Sequence, residues 1–579
     1  MSEVFPAAKP ASVSALRSFE GTLLAICDDA ARAVGSSCMR PSLGYRRLAR
    51  SPVDLRLFFT DTSALAGGMA GALVERLAGL GVVDTVRRRG AEVSLRLTED
   101  FIDQLGRELE GAAPSAIATV GGMDGRHYVV NFLNPNASKP LHVGHLRNAA
   151  LGMAVAASLE ACGARVLRQC YVCDIGRSVC EAMAGYEGLL AQHGQDWGPE
   201  RAGLAPDQFV GRCYADYARA SDAVPGRGAE SGADPAERED TVVHDRADEL
   251  LAAWVAGEAE ARRLWERVRS WALGGQEATL ERLGARWDRV HHESASLAAV
   301  ERLTAAGLAS GAFYRGIGQE VLFDTGRSEY ATLKLLREDG FPTEHARVIG
   351  LFLEEQAVGA PPYRWIVVCG DEWGAAGQAE LDVARRFGAA ELVERVEVFA
   401  HGMVTAAGSK MKSRDGQAVL IDELLDLLID SAPVQDLLEE YGRPFAPEQL
   451  ADMLVKGYFL SKRASKGLEF TLESFTDEAS NPAWAVVRAL CRGAASRARA
   501  TVGAPSDPER YRTAVLQAFQ LRQLVARSAE GFQGTSLMKF VGGFARWYLD
   551  GASDPRLDRV VVAVCSASLG TLGVAARGR

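Results

Sequence analysis

The chain has 579 residues, more than one hydrophobic core supports, so three or more domains are expected. Hydrophobic residues make up 47% and charged residues 24%, an ordinary balance for a soluble globular protein, and no stretch approaches the roughly 20 uninterrupted apolar residues of a membrane span. The net charge of −10 argues against indiscriminate nucleic-acid binding, yet local basic stripes remain at Arg46, Arg47 and Arg50, at Arg87–Arg89, and at Arg492, Arg497 and Arg499. Each stripe reads equally well as a solvated helix face. No basic flank followed by an apolar block opens the chain, so a secretory leader is not expected. The ten cysteines are scattered and too few for a disulfide scaffold of this size, which fits a reduced, cytoplasmic setting.

In chain order, residues 1–120 read as a small α/β domain. Leu65–Leu80 has helical apolar spacing, Arg87–Leu97 alternates as a strand, and Thr98–Leu109 is helical again. The β-rich run His127–Leu133 enters an Asn-Pro-Asn turn at 134–136, and a helix is expected from Gly144 to Gly163. A second strand, Arg165–Val172, leads to Asp174-Ile175-Gly176. Strand, tight loop, helix and strand open a parallel nucleotide-binding fold. Residues 221–240 are rich in Gly, Pro, Ala and charge and read as a surface loop. Helical spacing resumes at Arg246–Leu283, strands are expected near Glu320–Asp324, Ala331–Leu336 and Trp365–Cys369, and a helix near Ala375. From Pro433 onward the pattern is almost entirely helical.

The run Lys139-Pro140-Leu141-His142-Val143-Gly144-His145 places two histidines three apart where a strand turns into a helix. A helix amino terminus offers unpaired N–H groups and the positive end of a dipole, which suit a triphosphate. The histidines can donate to an α-phosphate as charge builds, and Gly144 lets an adenine approach the backbone. Cys170 and Cys173, with Cys162 and Cys180 nearby, hint at zinc spacing, but strand alternation points the first two to opposite faces, and no metal site is expected. Trp265, Trp271 and Trp287 read as packing anchors.

The stretch 134–148, NPNASKPLHVGHLRN, resembles the signature of arginyl-tRNA synthetases, and the similarity continues through 168–176, 264–288, 333–343, 402–426 and 569–576. The resemblance implies a Rossmann-type class I catalytic domain at 121–432, with a helical insertion at 177–330. It also implies a small N-terminal α/β domain at 1–120 and an all-helical anticodon-binding-like domain at 433–579. Lys410-Met411-Lys412-Ser413-Arg414-Asp415-Gly416 then occupies the place of the loop that closes over the β- and γ-phosphates. Its second lysine is replaced by Ser413, a role the family gives to a lysine before the histidines, here Lys139. His142, His145, Lys139 and Lys410 are the implied catalytic residues, with Gly144, Met411 and Ser413 also at ATP. ATP with Mg²⁺, an amino acid and arginine-type tRNA are the implied substrates of a monomer without membrane association.

Asn131, Asn136, Asp174, Glu344, Val348 and Asp371 are the implied amino-acid contacts. Four of them depart from the family. Asn131 and Val348 stand where carboxylates are expected, Glu344 where a tyrosine is, and Asp371 where a glutamine is. A guanidinium deprived of two carboxylates loses charge-assisted hydrogen bonds of about 1.5–3 kcal/mol each. The ATP machinery thus reads as intact and the side-chain pocket as rewritten. Three functions are compatible with this: a ligase for arginine or a related amino acid, a divergent paralogue activating another amino acid in specialised metabolism, and a catalytically silent tRNA-binding or regulatory protein.

Overall fold

The computed structural model describes residues 13–33, 42–45, 53–58, 68–90, 92–222, 245–358, 362–406, 409–410, 419–497 and 503–574. The loop expected at 221–240 lies almost wholly outside them.

A five-stranded parallel sheet organises the centre. Its strands are β1 (His127–Asn131), β2 (Arg165–Val172), β3 (Arg289–His292), β4 (Arg364–Gly370) and β5 (Val396–His401), in spatial order β5-β4-β1-β2-β3. Every neighbouring pair is parallel. Chain order reverses between β1 and β4, so the crevice where an open parallel sheet binds ligands lies at the carboxyl ends of these strands. Both faces of β1 are covered, which is why Tyr128 to Asn131 are all buried rather than alternating. The helix Val143–Ala161 that follows is buried nearly all round. It rests so close to β1 that a Cβ at Gly152 would lie 2.3 Å from the Phe132 ring, and only glycine fits.

The 177–330 span is not a single insertion, because Arg289–His292 returns to the parallel sheet as β3. Arg-Val-His-His has no apolar run, since this edge strand is only half buried, and periodicity could not mark it. The helices Arg177–His193, Pro206–Asp222, Arg246–Val255 and Ala259–Arg282 do pack on one another, around a core containing Tyr186, Phe209 and Trp254. Phe313–Arg315, Val321–Asp324 and Thr332–Leu336 form a separate antiparallel sheet.

In the N-terminal part the helix expected at 65–80 is Gly68–Ala78. The single strand expected at 87–97 is a hairpin, Val83–Arg89 with Glu92–Leu97, turning through Gly90 at φ +60. Thr98 caps the helix Glu99–Gly111, its hydroxyl accepting from Phe101 N at 3.3 Å. Among the described residues, those from 433 onward form helices and the one short strand Leu468–Phe470. Two ends of the chain are tied together here: buried Arg512 donates to buried Asp54 at 2.5 Å and to the Leu97 carbonyl at 3.0 Å.

Candidate functional site

At the carboxyl end of β1 the chain turns through Leu133 and Asn134, both at positive φ, and descends into the helix that carries the two histidines. His142 is the N-cap of that helix: its Nδ1 accepts from Gly144 N at 3.1 Å, while His145 Nδ1 accepts from His142 N at 3.1 Å. Each imidazole is thereby anchored through Nδ1, which leaves the ring proton on Nε2. The ring centroids are 3.9 Å apart. Burial, the neighbouring His142 and the charge of Lys139 together hold the His145 pKa well below its ordinary value. Gly144 has a local reason beyond ligand approach, because a Cβ there would sit 2.9 Å from the His142 ring and evict the cap.

The 402–421 segment comes to the same edge. Val143 N donates to Val419 O and Ile421 N to Leu141 O, each at 3.1 Å, and His142 bridges Leu420. On the other side of the gap, Thr405 pairs with Lys410 in a two-residue strand. The backbone of Lys410 is therefore brought to the histidine edge, while Met411 and Ser413 lie outside the described residues.

Two anchors that the sequence reading overlooked, buried Arg147 and half-buried Asn148, hold this junction. Arg147, one helical turn after the histidines, donates to the carbonyls of Gly402 (2.9 Å), Arg463 (3.1 Å), Ala464 (3.0 Å) and Lys466 (2.7 Å). Asn148 accepts from Leu133 N at 2.6 Å, donates to Val368 O at 3.0 Å and meets His401 Nε2 at 3.1 Å. Burial lowers the pKa of His401, and the nearby Arg147 charge adds to this.

A cavity of about 220 Å³, reached by Leu133, Asn134 and Asn148, is set between the sheet face and the helices Glu344–Val358 and Gly374–Ala384. Asn131, Glu344 and Val348 all line it. The other three expected contacts do not. Asn136 is engaged within its own loop, accepting from Ser138 Oγ at 2.7 Å and donating to Ser178 Oγ at 3.1 Å. Asp174 is fully buried and saturated by Ser294 N (2.9 Å), Ser294 Oγ (2.8 Å) and Arg269 Nε (2.9 Å), so it clamps the fold. Asp371 is exposed in the turn after β4, and that turn gives the cavity Gly370 and Trp373 instead. Lining residues without a sequence signal are Tyr171, Cys173, Glu293 and Glu380. Burial pushes Glu293 upward in pKa, opposed by Arg347, and pushes Glu380 upward, opposed by His345. Among the described residues no group of three or more His, Cys, Asp or Glu is arranged to hold a metal ion. Trp265 and Trp271 pack against Trp254 and Tyr186, and Trp287 against Phe132.

Residues 118–212 match the family model described as class I tRNA synthetases (R), catalytic domain. The arginine–tRNA ligase of Amoebophilus asiaticus is 30% identical over 60% of this chain and 59% of its own length. That of Treponema pallidum is 28% identical over 72% of this chain and 66% of its own. The chain thus spans about 60% of the length of the curated relatives it matches. The Thermus thermophilus arginyl-tRNA synthetase structure aligns over 97% of this chain and 99% of that one, with a TM-score of 0.68 at 21% identity. The Plasmodium falciparum arginyl-tRNA synthetase structure aligns over 98% and 99%, with a TM-score of 0.65 at 12% identity. In matched sequence and in fold, the chain is similar to the class I arginine–tRNA ligases.

Proposed function

We propose that the chain is an aminoacyl-tRNA ligase. In the first step an amino-acid carboxylate oxygen attacks the α-phosphorus of ATP, the bond to the β-bridging oxygen breaks, and pyrophosphate leaves. In the second, a terminal ribose hydroxyl of tRNA attacks the aminoacyl carbonyl and AMP leaves. The observation that carries this reading is the pair His142 and His145, each anchored through Nδ1 at a helix amino terminus on the ligand edge of a parallel sheet. Their Nε2–H groups are suited to donate to α-phosphate oxygens as charge develops in the transition state. The low pKa of His145 keeps it a neutral donor, so it orients without adding a buried charge. Lys139 supplies positive charge close to His145, and Lys410, with Met411 and Ser413, belongs to the segment assigned to the β- and γ-phosphates. Mg²⁺ would accompany the ATP phosphates as their counter-ion.

In this proposal residues 121–432 form the catalytic part, 433–579 the helical part that reads tRNA, and the chain works as a cytoplasmic monomer. The ion pair between Arg512 and Asp54 supports intramolecular docking of the two ends. The chemistry itself leaves the amino acid unspecified, because the carboxylate, ATP and pyrophosphate are common to all candidates. ATP–pyrophosphate exchange with an amino-acid mixture, with and without total tRNA, tests the reading. Amino-acid-dependent exchange is expected, and its absence in every condition would refute it.

A further inference from the structure

Two of the three carboxylates that line the cavity are paired from within the chain. Buried Arg347 donates through Nε to Glu293 at 2.7 Å, and through Nη1 to the Pro342 carbonyl. His345 Nδ1 meets Glu380 Oε1 at 2.6 Å. Of the three lining carboxylates, Glu344 alone sits exposed at the rim. Away from the rim, buried Asn131 and the paired Glu293 and Glu380 share the wall with hydrocarbon, which comes from Val348, Leu351 and Phe352 on one helix and from Leu381 on the other. Gly377 lines the same space, and a Cβ built there meets nothing within 4 Å.

A guanidinium entering this space would give up its water against a wall that is largely apolar, would meet two buried carboxylates already paired within the chain, and would approach the buried guanidinium of Arg347. Burying a charge without a partner is far more costly than burying an apolar group. The volume of about 220 Å³ exceeds the ~150 Å³ apolar cavity known to take benzene, so an aromatic or branched aliphatic group fits. We propose that the cavity selects an amino acid with an uncharged, apolar side chain over arginine. This rests on the ligase reading for the cavity's use as the amino-acid pocket.

The test uses the full chain with ATP and total tRNA. Leucine, methionine, phenylalanine, tryptophan and arginine are compared by pyrophosphate exchange and, in parallel, by equilibrium binding. At least one apolar amino acid is expected to exceed arginine tenfold or more in kcat/KM and in affinity. Gly377→Leu, which fills the cavity, is expected to raise the KM of that amino acid at least tenfold while ATP affinity stays unchanged. Val348→Asp is expected to narrow the gap toward arginine. Arginine emerging as the best substrate or tightest ligand would overturn the inference and leave the ligase reading standing. Binding of an apolar amino acid that Gly377→Leu abolishes, without any exchange, would uphold the inference and overturn the ligase reading. Absence of both exchange and binding would overturn both.

Discussion

Replacing Gly144 by alanine separates a structural from a catalytic role for the histidine cap. The new Cβ would sit 2.9 Å from His142 Cε1 and 3.0 Å from its Nδ1, inside any tolerated contact, so the ring must swing away. Losing the cap costs about 0.5–2 kcal/mol, while alanine in place of glycine within a helix returns about 1 kcal/mol. The two nearly cancel, and stability is expected to change by no more than about 1 kcal/mol. Activity is governed differently. His145 Nδ1 takes its bond from the backbone N–H of His142, so displacement of the cap disturbs both rings, and a misplacement of about 1 Å can cost on the order of a hundredfold. Pyrophosphate exchange by Gly144→Ala, with urea unfolding of the same protein, checks this. Full exchange activity would refute the reasoning, and so would a loss of activity matched by a stability loss of several kcal/mol.

His142→Ala, His145→Ala and Lys139→Ala are each expected to lower exchange by roughly ten- to a thousandfold with the circular dichroism spectrum preserved, as for lost oxyanion-type donors. A fully active Lys139→Ala enzyme would remove that lysine from the phosphate site. Because the folded state holds His145 neutral, the acid limb of the exchange profile should fall well below pH 6.5. The sign for stability follows from the same shift: the unfolded ring takes up a proton below 6.5 and the folded one does not, so stability falls as pH drops below 6.5 and is unaffected above it. A pH titration of wild type against His145→Gln reads both effects. Arg147→Met strips a charged donor from four carbonyls, two of which, Arg463 O and Ala464 O, keep a backbone donor. A loss of about 3–5 kcal/mol is expected, seen as faster hydrogen exchange at 402–406 and 463–466. Arg512→Met should cost a similar amount by leaving Asp54 buried without its guanidinium; a thermal melt indistinguishable from wild type would contradict that.

What the sequence disclosed follows from which interactions are local. The order β1, helix and β2 was readable because both strands are rich in β-branched and aromatic residues and the helix is bounded by His142 and by Gly163 at φ +88. Strand β3 was not, since four residues with two histidines, three half-buried and Val290 exposed, carry no period. The hairpin at 83–97 was merged into one strand because Arg87-Arg88-Arg89 continues the alternation up to the turn at Gly90. At the site, the anchor to the Asn-Pro-Asn turn pointed to Asn131, and spacing from Gly340 pointed to Glu344 and Val348; all three line the cavity. Asp174 and Asp371 do not line it, and an acidic residue looks the same in sequence whether it is saturated within the fold, exposed, or facing a ligand. Glu293 and Glu380 were invisible for a related reason. Their partners Arg347 and His345 are 54 and 35 positions away, and only the packing of the helices against the sheet brings them together. The ties from Arg512 to Asp54 and from Arg522 to Glu20 span still longer separations.

The central claim is adenylation at the paired histidines, and one measurement addresses it most directly. Amino-acid-dependent ATP–pyrophosphate exchange should be followed for the wild-type chain and for His142→Ala/His145→Ala, both with total tRNA present. The wild-type chain is expected to exchange with at least one amino acid, and the double variant to fall by a hundredfold or more while remaining folded. Undiminished exchange by the double variant would contradict the account.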